Sequence, residues 1–160
     1  MKKPNTETKP ITSLKDVLAL IAEPLECKFK LADGNGQFHP VTLKVNRAMP
    51  SLLEKRRELQ RGPVPPWAKE RNDYDTLNPA YLKARDAATL QARSLTAYMC
   101  CPEVSAMKPG LLQVAEIHQF VSGMLPEPIQ ELIELTALTG GMDLEPEKRA
   151  NFTLPGVSES

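Results

Sequence analysis

The sequence is poor in the residues on which metal and redox sites depend. It contains two histidines and three cysteines, and Cys100 and Cys101 are adjacent. Adjacent cysteines fit a tetrahedral zinc site poorly, and three cysteines do not make a disulfide framework. Cys27, Cys100, Cys101 and His118 could still meet in space, although buried structural cysteines are the interpretation we favour. We therefore expect no metal, no cofactor and a reducing cytoplasmic compartment.

Motifs for nucleotide binding and for nucleophilic catalysis are also absent. The chain has no phosphate-binding glycine loop, no GxSxG elbow, and no HExxH or CxxC spacing. Glu127, Glu131 and Glu134 are three and four residues apart and could support metal or acid–base chemistry. The same spacing is typical of a solvated helix face, which is the interpretation we favour. We predict that the chain is not an enzyme.

Aromatic residues and long apolar runs are scarce. Aromatics make up 5% of the chain, which leaves few rings for stacking on nucleotide bases. The longest apolar run, Val17 to Ala22, is too short to cross a bilayer. The segment from Met1 to Lys9 is polar and lacks the apolar centre of a signal peptide. We expect no membrane partner.

Charge is balanced overall but unevenly distributed. The formal net charge is zero, with +5 over residues 1–66 and −6 over residues 110–160. Opposite charge at the two ends favours contacts within the fold or between copies over general binding to nucleic acid. Solvated faces of unequal charge are the alternative.

The chain does have many helix-breaking residues, with fifteen prolines and eight glycines. These predict several short helices rather than one long bundle. The predicted fold class is α+β, mainly α, with an N-terminal β-hairpin, flanking short helices and then a compact array of about three helices. The predicted organisation is a disordered lead (1–10), a helix–hairpin–charged helix unit (11–61), a Pro-rich spacer (62–77), a helical domain (78–141) and a flexible tail (142–160).

In the N-terminal unit, Ser13 followed by Asp16 resembles a capping box that opens a helix through Ile21. Apolar and polar residues then alternate on either side of the turn sequence 33–36, Asp-Gly-Asn-Gly, which predicts a hairpin. Two strands alone are marginally stable, so neighbouring helices should cover their apolar face. The following helix carries Lys55-Arg56-Arg57, which could contact phosphate or acidic protein or simply face water.

The C-terminal half is predicted to be helical. Asn78 is a good N-cap for a helix that ends near Cys101, because Pro102 disfavours helix just before it. After a loop, a second helix spans about 111–124. Pro126 and Pro128 start a third helix, in which Ile129, Leu132, Ile133 and Thr136 should face inward while Glu131 and Glu134 face water; Gly140-Gly141 ends it.

These three helices carry many large apolar side chains. A small helical array can bury only part of each apolar stripe, because small domains have a high ratio of surface to volume. Methionine and aromatic residues suit adaptable recognition of a partner helix. Burial in the core is the alternative for each residue. The predicted partner-binding residues are Tyr81, Leu82, Leu95, Tyr98, Met99, Phe120, Met124, Leu125, Ile129, Leu132 and Ile133.

The order of elements resembles the tail assembly chaperones of long-tailed bacteriophages. One matching stretch is 29–59, a strand, a glycine-containing turn, a strand and then Ser-Leu-Leu-Glu-Lys-Arg-Arg. The other is 81–141, where Tyr-Leu leads into an alanine-rich helix ending in Met-Cys-Cys-Pro-Glu. Its later segments Val-Ser-Gly-Met-Leu-Pro (121–126) and Leu-Thr-Ala-Leu-Thr-Gly-Gly (135–141) are also similar in kind. The Pro-rich segment 62–67 and the chain after 141 depart from the family's pattern.

The resemblance implies a non-catalytic protein that coats the aggregation-prone helices of the tape measure protein until tail tube subunits replace it. The protein would act in the host cytoplasm and be absent from the mature virion. The implied partners are the tape measure protein and the tail tube protein, with self-association as a further hypothesis. Alternatives are a structural component of a phage particle, such as a connector or baseplate subunit, and a small regulatory nucleic-acid-binding protein using Lys55, Arg56, Arg57 and Arg61.

Overall fold

The computed structural model describes residues 10–142. The predicted lead and tail lie almost entirely outside these residues. The helices are α1 Leu14–Ile21, α2 Pro50–Arg61, α3 Pro79–Cys100, α4 Pro102–Met107, α5 Val114–Met124 and α6 Glu127–Thr139; the strands are β1 Leu25–Ala32, β2 Phe38–Val45, β3 Trp67–Ala68 and β4 Asp73–Tyr74. The predicted class, α+β and mainly α with an N-terminal hairpin, is confirmed.

The hairpin forms where the alternating sequence places it. β1 and β2 are antiparallel, with Cys27 opposite Leu43 and Phe29 opposite Val41. Asp33 fixes the turn, because its Oδ1 accepts hydrogen bonds from the backbone amides of Asn35 (2.8 Å) and Gln37 (3.1 Å). The local sequence therefore determines both the strands and their register.

The helical half is organised around α3. Asn78 caps this helix by accepting hydrogen bonds from the amides of Ala80 and Tyr81. α2, α5 and α6 all pack against α3, and Ile117, Val121 and Ile133 are fully buried between them. The longest helix thus serves as the centre of the core.

The hairpin joins this half at one end only. Cys27 and Val45 are buried in the same core cluster as the helices, and α4 and α6 lie against β1 and β2 there. Two backbone hydrogen bonds secure the join, from the amide of Asn46 to the Cys100 carbonyl (2.7 Å) and from the amide of Ala48 to the Ala137 carbonyl (3.0 Å). At the far end of the hairpin, Leu31 and Phe38 are exposed.

The inward face of α6 differs from the predicted one. Its buried residues are Gln130, Ile133, Glu134 and Ala137, whereas Leu132 is exposed and Thr136 is half-buried. The predicted outward direction of Glu134 was wrong. Apolar spacing misplaced the face because the buried stripe contains two polar residues whose partners come from other helices.

Three further elements, α4, β3 and β4, were not predicted. Pro102 begins the short helix α4, where a loop was expected, since proline suits a first helical turn as well as it ends a preceding helix. Within the predicted spacer, Trp67 and Tyr74 face each other across the two-residue strands β3 and β4, with ring centroids 5.1 Å apart in an edge-to-face arrangement.

Candidate protein-binding surface

Three of the predicted partner-binding residues lie in the core. Leu95, Tyr98 and Ile133 are 2%, 5% and 0% exposed. The Tyr98 hydroxyl also donates to the Lys108 carbonyl and accepts from the amide of Leu111, each within 3.0 Å. These side chains are unavailable to a partner, because α3 is enclosed by the helices that pack on it. The prediction that these three residues bind a partner was wrong.

Of the remaining eight predicted residues, two are exposed and six are half-buried. Met99 and Leu132 are exposed. The half-buried residues are Tyr81, Leu82, Phe120, Met124, Leu125 and Ile129. Four of the half-buried residues pack against the core, and the ring of Phe120 meets the ring of Tyr98 edge to face. The last three helices therefore hide most of their apolar surface, contrary to the expectation of a large exposed excess.

Five large apolar side chains are exposed along the eight residues of α1. No residue of this helix is buried, and Leu14 is 73% exposed. We define the α1 stripe as Leu14, Val17, Leu18 and Ile21, which follow the three- and four-residue spacing of one helix face. Leu20 and the preceding Ile11 are exposed beside it. Such a face in contact with water is unfavourable and is typical of a surface that binds another protein.

Hydrogen bonds hold both ends of α1. Ser13 Oγ accepts from the amide of Asp16 (3.2 Å) at its start. At its end, Arg47 Nη1 donates to the carbonyls of Leu20, Ile21 and Glu23 at 2.8–3.1 Å. The same side chain donates from Nε to the carbonyl of Gly140 (2.7 Å), which follows α6. Arg47 therefore ties the end of α1 to the helical half while the stripe faces solvent.

Sequence reasoning found this helix but missed its role. The capping residue and the apolar spacing predicted its boundaries, and the neighbouring helices were expected to cover the hairpin. α4 and α6 do so at one end, and none of the residues between 10 and 142 buries the stripe. The apolar spacing of α1 is also that of a helix that packs inward, so only the three-dimensional structure shows that the stripe is exposed.

The basic cluster on α2 is divided by the fold. Arg56 is 7% exposed, and its Nη1 lies 2.6 Å from Glu134 Oε2 and donates to Thr96 and to the Ala92 carbonyl. Arg57 pairs at the surface with Glu54. The expectation of a wholly solvated cluster fails for Arg56, and the continuous basic patch that a nucleic-acid site needs is not formed by these residues.

The acidic residues on α6 complete the same buried cluster. Arg93 Nε lies 3.3 Å from Glu134 Oε1, and Arg93 Nη1 lies 2.8 Å from Glu127 and 3.1 Å from Glu131. Two arginines thus surround one buried carboxylate. Among residues 10–142, every buried side-chain nitrogen and oxygen has a hydrogen-bond partner. The cluster is a closed ionic contact between α2, α3 and α6.

Reactive groups are sequestered rather than assembled. Burial raises the pKa of the Cys100 thiol to about 11 and also raises the pKa of Cys101. Their thiols therefore stay protonated and unreactive at neutral pH. His118 Nδ1 lies 2.8 Å from Ser94 Oγ, but Ser94 is fully buried. In the part of the chain described, no three His, Cys, Asp or Glu side chains are placed to hold a metal.

Comparison of the chain with protein-family models, with curated proteins and with solved structures found no match. None of the helices between residues 10 and 142 is both long enough and apolar enough to span a bilayer. Among the described residues, the exposed α1 stripe is the surface from which we argue a function.

Proposed function

We propose that this chain is a non-catalytic tail assembly chaperone, and that its α1 stripe covers apolar helix faces of a tape measure protein before tail tube subunits enclose them. One observation carries the proposal: an ordered helix presents every one of its large apolar side chains to solvent. The bacteriophage assignment itself rests on the sequence resemblance.

The shape of the surface suits an amphipathic helix as its ligand. The α1 stripe runs along one face of the helix and can lie along the apolar face of a partner helix. The stripe is only two turns long, so each copy buries little area and binds weakly. Weak binding is sufficient where many copies cover one long chain, because neighbouring sites share the work of keeping it soluble. Later displacement by tail tube subunits is then readily achieved.

A regulatory nucleic-acid-binding role has less support. It required Arg56, whose guanidinium is held by Glu134 in the interior, and Arg57, which is paired with Glu54. A permanent component of the phage particle would use the same α1 stripe. Mass spectrometry of purified virions separates that role from a chaperone, because a chaperone is absent from the finished particle.

The experiment is co-expression with the large coiled-coil protein encoded in the same genome, with recovery of that protein in the soluble fraction as the readout. We expect wild type to rescue its solubility and Leu14→Glu/Leu18→Glu to lose rescue. Leu112→Glu is the matched control, since Leu112 is 84% exposed in a loop outside α1. Circular dichroism of each purified variant verifies that the helices remain.

A third variant tests the surface expected from sequence. Met99→Glu/Leu132→Glu changes the two predicted partner-binding residues that are exposed. Rescue retained by this variant and lost by the α1 variant assigns client binding to α1. The opposite result places the site on α3 and α6, and failure of wild type to rescue the client removes the chaperone proposal.

A further inference from the structure

The chain leaves the last helix beside the end of α1. One guanidinium, that of Arg47, binds both the Gly140 carbonyl after α6 and the carbonyl of Ile21 at the end of α1. Gly141 lies directly against the first residue of β1, because a Cβ atom placed on Gly141 would be 2.8 Å from Leu25 Cδ2. The chain that follows α6 therefore starts next to the exposed helix.

The C-terminal segment, which we define as residues 143–160, carries the apolar side chains that could cover such a surface. Its large apolar residues are Leu144, Phe152, Leu154 and Val157. Residues 1–9, which precede α1, contain one large apolar side chain, that of Met1, and three lysines. Of the two parts of the chain outside residues 10–142, the C-terminal segment is therefore the one whose composition fits the α1 stripe.

We propose that the C-terminal segment returns to its own chain and covers the α1 stripe with Phe152 and Leu154 when no client is bound. The proposal rests on the proposed function in one respect, because the covering segment and a client helix compete for one surface. The cover keeps the stripe out of water and away from non-specific partners until a client displaces the segment. The client-binding surface is thereby regulated by the chain that carries it.

The length of the segment permits this contact. Phe152 is eleven residues beyond Gly141, and an extended chain of that length spans up to about 36 Å. The eight residues of α1 extend only about 12 Å. Starting near Ile21, the segment can therefore reach every residue of the stripe.

Attachment to the same chain makes a small apolar contact sufficient. Two separate molecules lose translational and rotational freedom when they bind, and this cost reduces the affinity of a small surface. A tethered segment is instead present at an effective concentration in the millimolar range. A contact with a millimolar dissociation constant is therefore formed about half of the time within one molecule.

Charge favours the same arrangement. One face of the hairpin carries three exposed lysines and one acidic residue, which are Lys28, Lys30, Lys44 and Glu26. The first acidic residues of the C-terminal segment are Asp143, Glu145 and Glu147. Opposite charges attract the start of the segment to the surface of its own chain, and this attraction raises the local concentration of Phe152 and Leu154 around α1.

Intramolecular cross-linking in the full chain tests where the segment lies. Leu20→Cys places a thiol beside the α1 stripe, and Thr153→Cys places one between Phe152 and Leu154. Diamide should convert this pair to an internal disulfide of the monomer about fivefold faster than it converts Leu31→Cys/Thr153→Cys. Leu31 is the matched position, because it is also exposed but lies at the far end of β1.

The dependence on apolar contact is tested in the same assay. Adding Phe152→Ser/Leu154→Ser should slow disulfide formation at α1 to the rate of the hairpin pair, whereas Asn151→Ser, which changes a polar neighbour, should not alter it. Wild type, whose three cysteines are buried, should give no disulfide. Equal rates for the α1 pair and the hairpin pair overturn the proposal, and so does a fast rate at α1 that the two serines leave unchanged.

Client recovery measures the regulatory consequence. In the co-expression assay, Phe152→Ser/Leu154→Ser should raise the amount of soluble coiled-coil client by about two- to fivefold at equal expression, because a surface that is covered for half of the time or more becomes fully available. Asn151→Ser should recover as much client as wild type. A wild type that rescues the client as well as the double serine variant does overturns the competition.

The outcomes for the cover and for the proposed function are separable, because cross-linking needs no client. Fast disulfide formation at α1 in a chain that rescues no client keeps the cover and removes the chaperone function. Equal cross-linking rates in a chain that rescues the client, with rescue lost in Leu14→Glu/Leu18→Glu, keep the chaperone function and remove the cover.

Discussion

α1 and α6 differ in the kind of side chain that they expose to solvent. α6 buries Glu134 and Gln130 and leaves Leu132 and Leu135 exposed, whereas α1 exposes every apolar side chain it carries. From hydropathy alone, the apolar side chains would be expected to be buried and Glu134 and Gln130 to be exposed. The difference shows that burial in this molecule is decided by the partners available in three dimensions, since a buried carboxylate needs only suitably placed cations.

Arginine side chains hold both helices in place. Arg56 and Arg93 satisfy the Glu134 carboxylate and so allow a charged face to pack inward. Arg47 satisfies the carbonyls at the end of α1 and so holds the end of that helix through hydrogen bonds. The helical half should therefore unfold as one cooperative unit, while α1 should respond to mutation almost independently of it.

The largest expected effect is the loss of the buried carboxylate. Glu134→Ala removes the carboxylate that pairs with Arg56 in the interior and one of the three carboxylates that pair with Arg93. We expect the free energy of unfolding to fall by about 3–5 kcal/mol in urea titrations, mainly because Arg56 is left buried without its partner. Glu54→Ala is the control, because it breaks only an exposed pair with Arg57 and should cost no more than about 1 kcal/mol. Equal losses in the two variants would contradict the buried cluster.

Truncating one aliphatic residue in each region compares them directly. Ile133→Ala opens a cavity at a site with no exposure and should lower the free energy of unfolding by about 2–5 kcal/mol. Leu18→Ala removes a side chain that lies mostly in water and should change it by no more than about 0.5 kcal/mol. The measurement is again urea unfolding. A large loss in Leu18→Ala would mean that α1 packs inward.

Arg47→Ala tests the attachment of α1. It removes hydrogen bonds from a charged group to three carbonyls of the α1 end and to Gly140, and we expect a cost of about 1–3 kcal/mol. Most of the effect should be local, with faster hydrogen exchange at the amide of Ala22, which bonds to the Leu18 carbonyl. Arg57→Ala is the control and should leave that exchange unchanged. Unaltered protection in Arg47→Ala would show that another contact holds the helix.

Local features were predictable from sequence and long-range pairings were not. The hairpin follows from alternation and the turn at 33–36, and the start of α3 follows from Asn78. These signals lie within a few residues of the structure that they specify. The burial of Arg56 depends on Glu134, which is 78 positions away, and the neighbouring Lys55 and Arg57 have the same character but face solvent.

The candidate surface was mislocated for the same reason. Leu95, Tyr98 and Ile133 have the composition of a binding stripe and also of a core, and only the enclosure of α3 by three helices decides between them. The apolar face of α1 was visible in the sequence as a helix face. The end of α1 is held by Arg47, whose contacts with Gly140 and the α1 carbonyls cannot be inferred from spacing.

The last expected effect is a pH dependence of stability that arises from a thiol in the packed half. Burial raises the pKa of Cys100 from its ordinary value of 9.0 to about 11 in the folded chain. Between these values the unfolded chain loses the thiol proton and the folded chain keeps it, so deprotonation favours unfolding and the free energy of unfolding should fall as pH rises from 9 towards 11. Below pH 9 this contribution is constant. Cys100→Ala should flatten the decline in pH-dependent urea titrations, whereas Leu18→Ala, which changes only the exposed helix, should leave its slope as in wild type. A wild-type decline that Cys100→Ala does not alter would assign the alkaline sensitivity to other groups and would weaken the evidence that the thiol is sealed in the core.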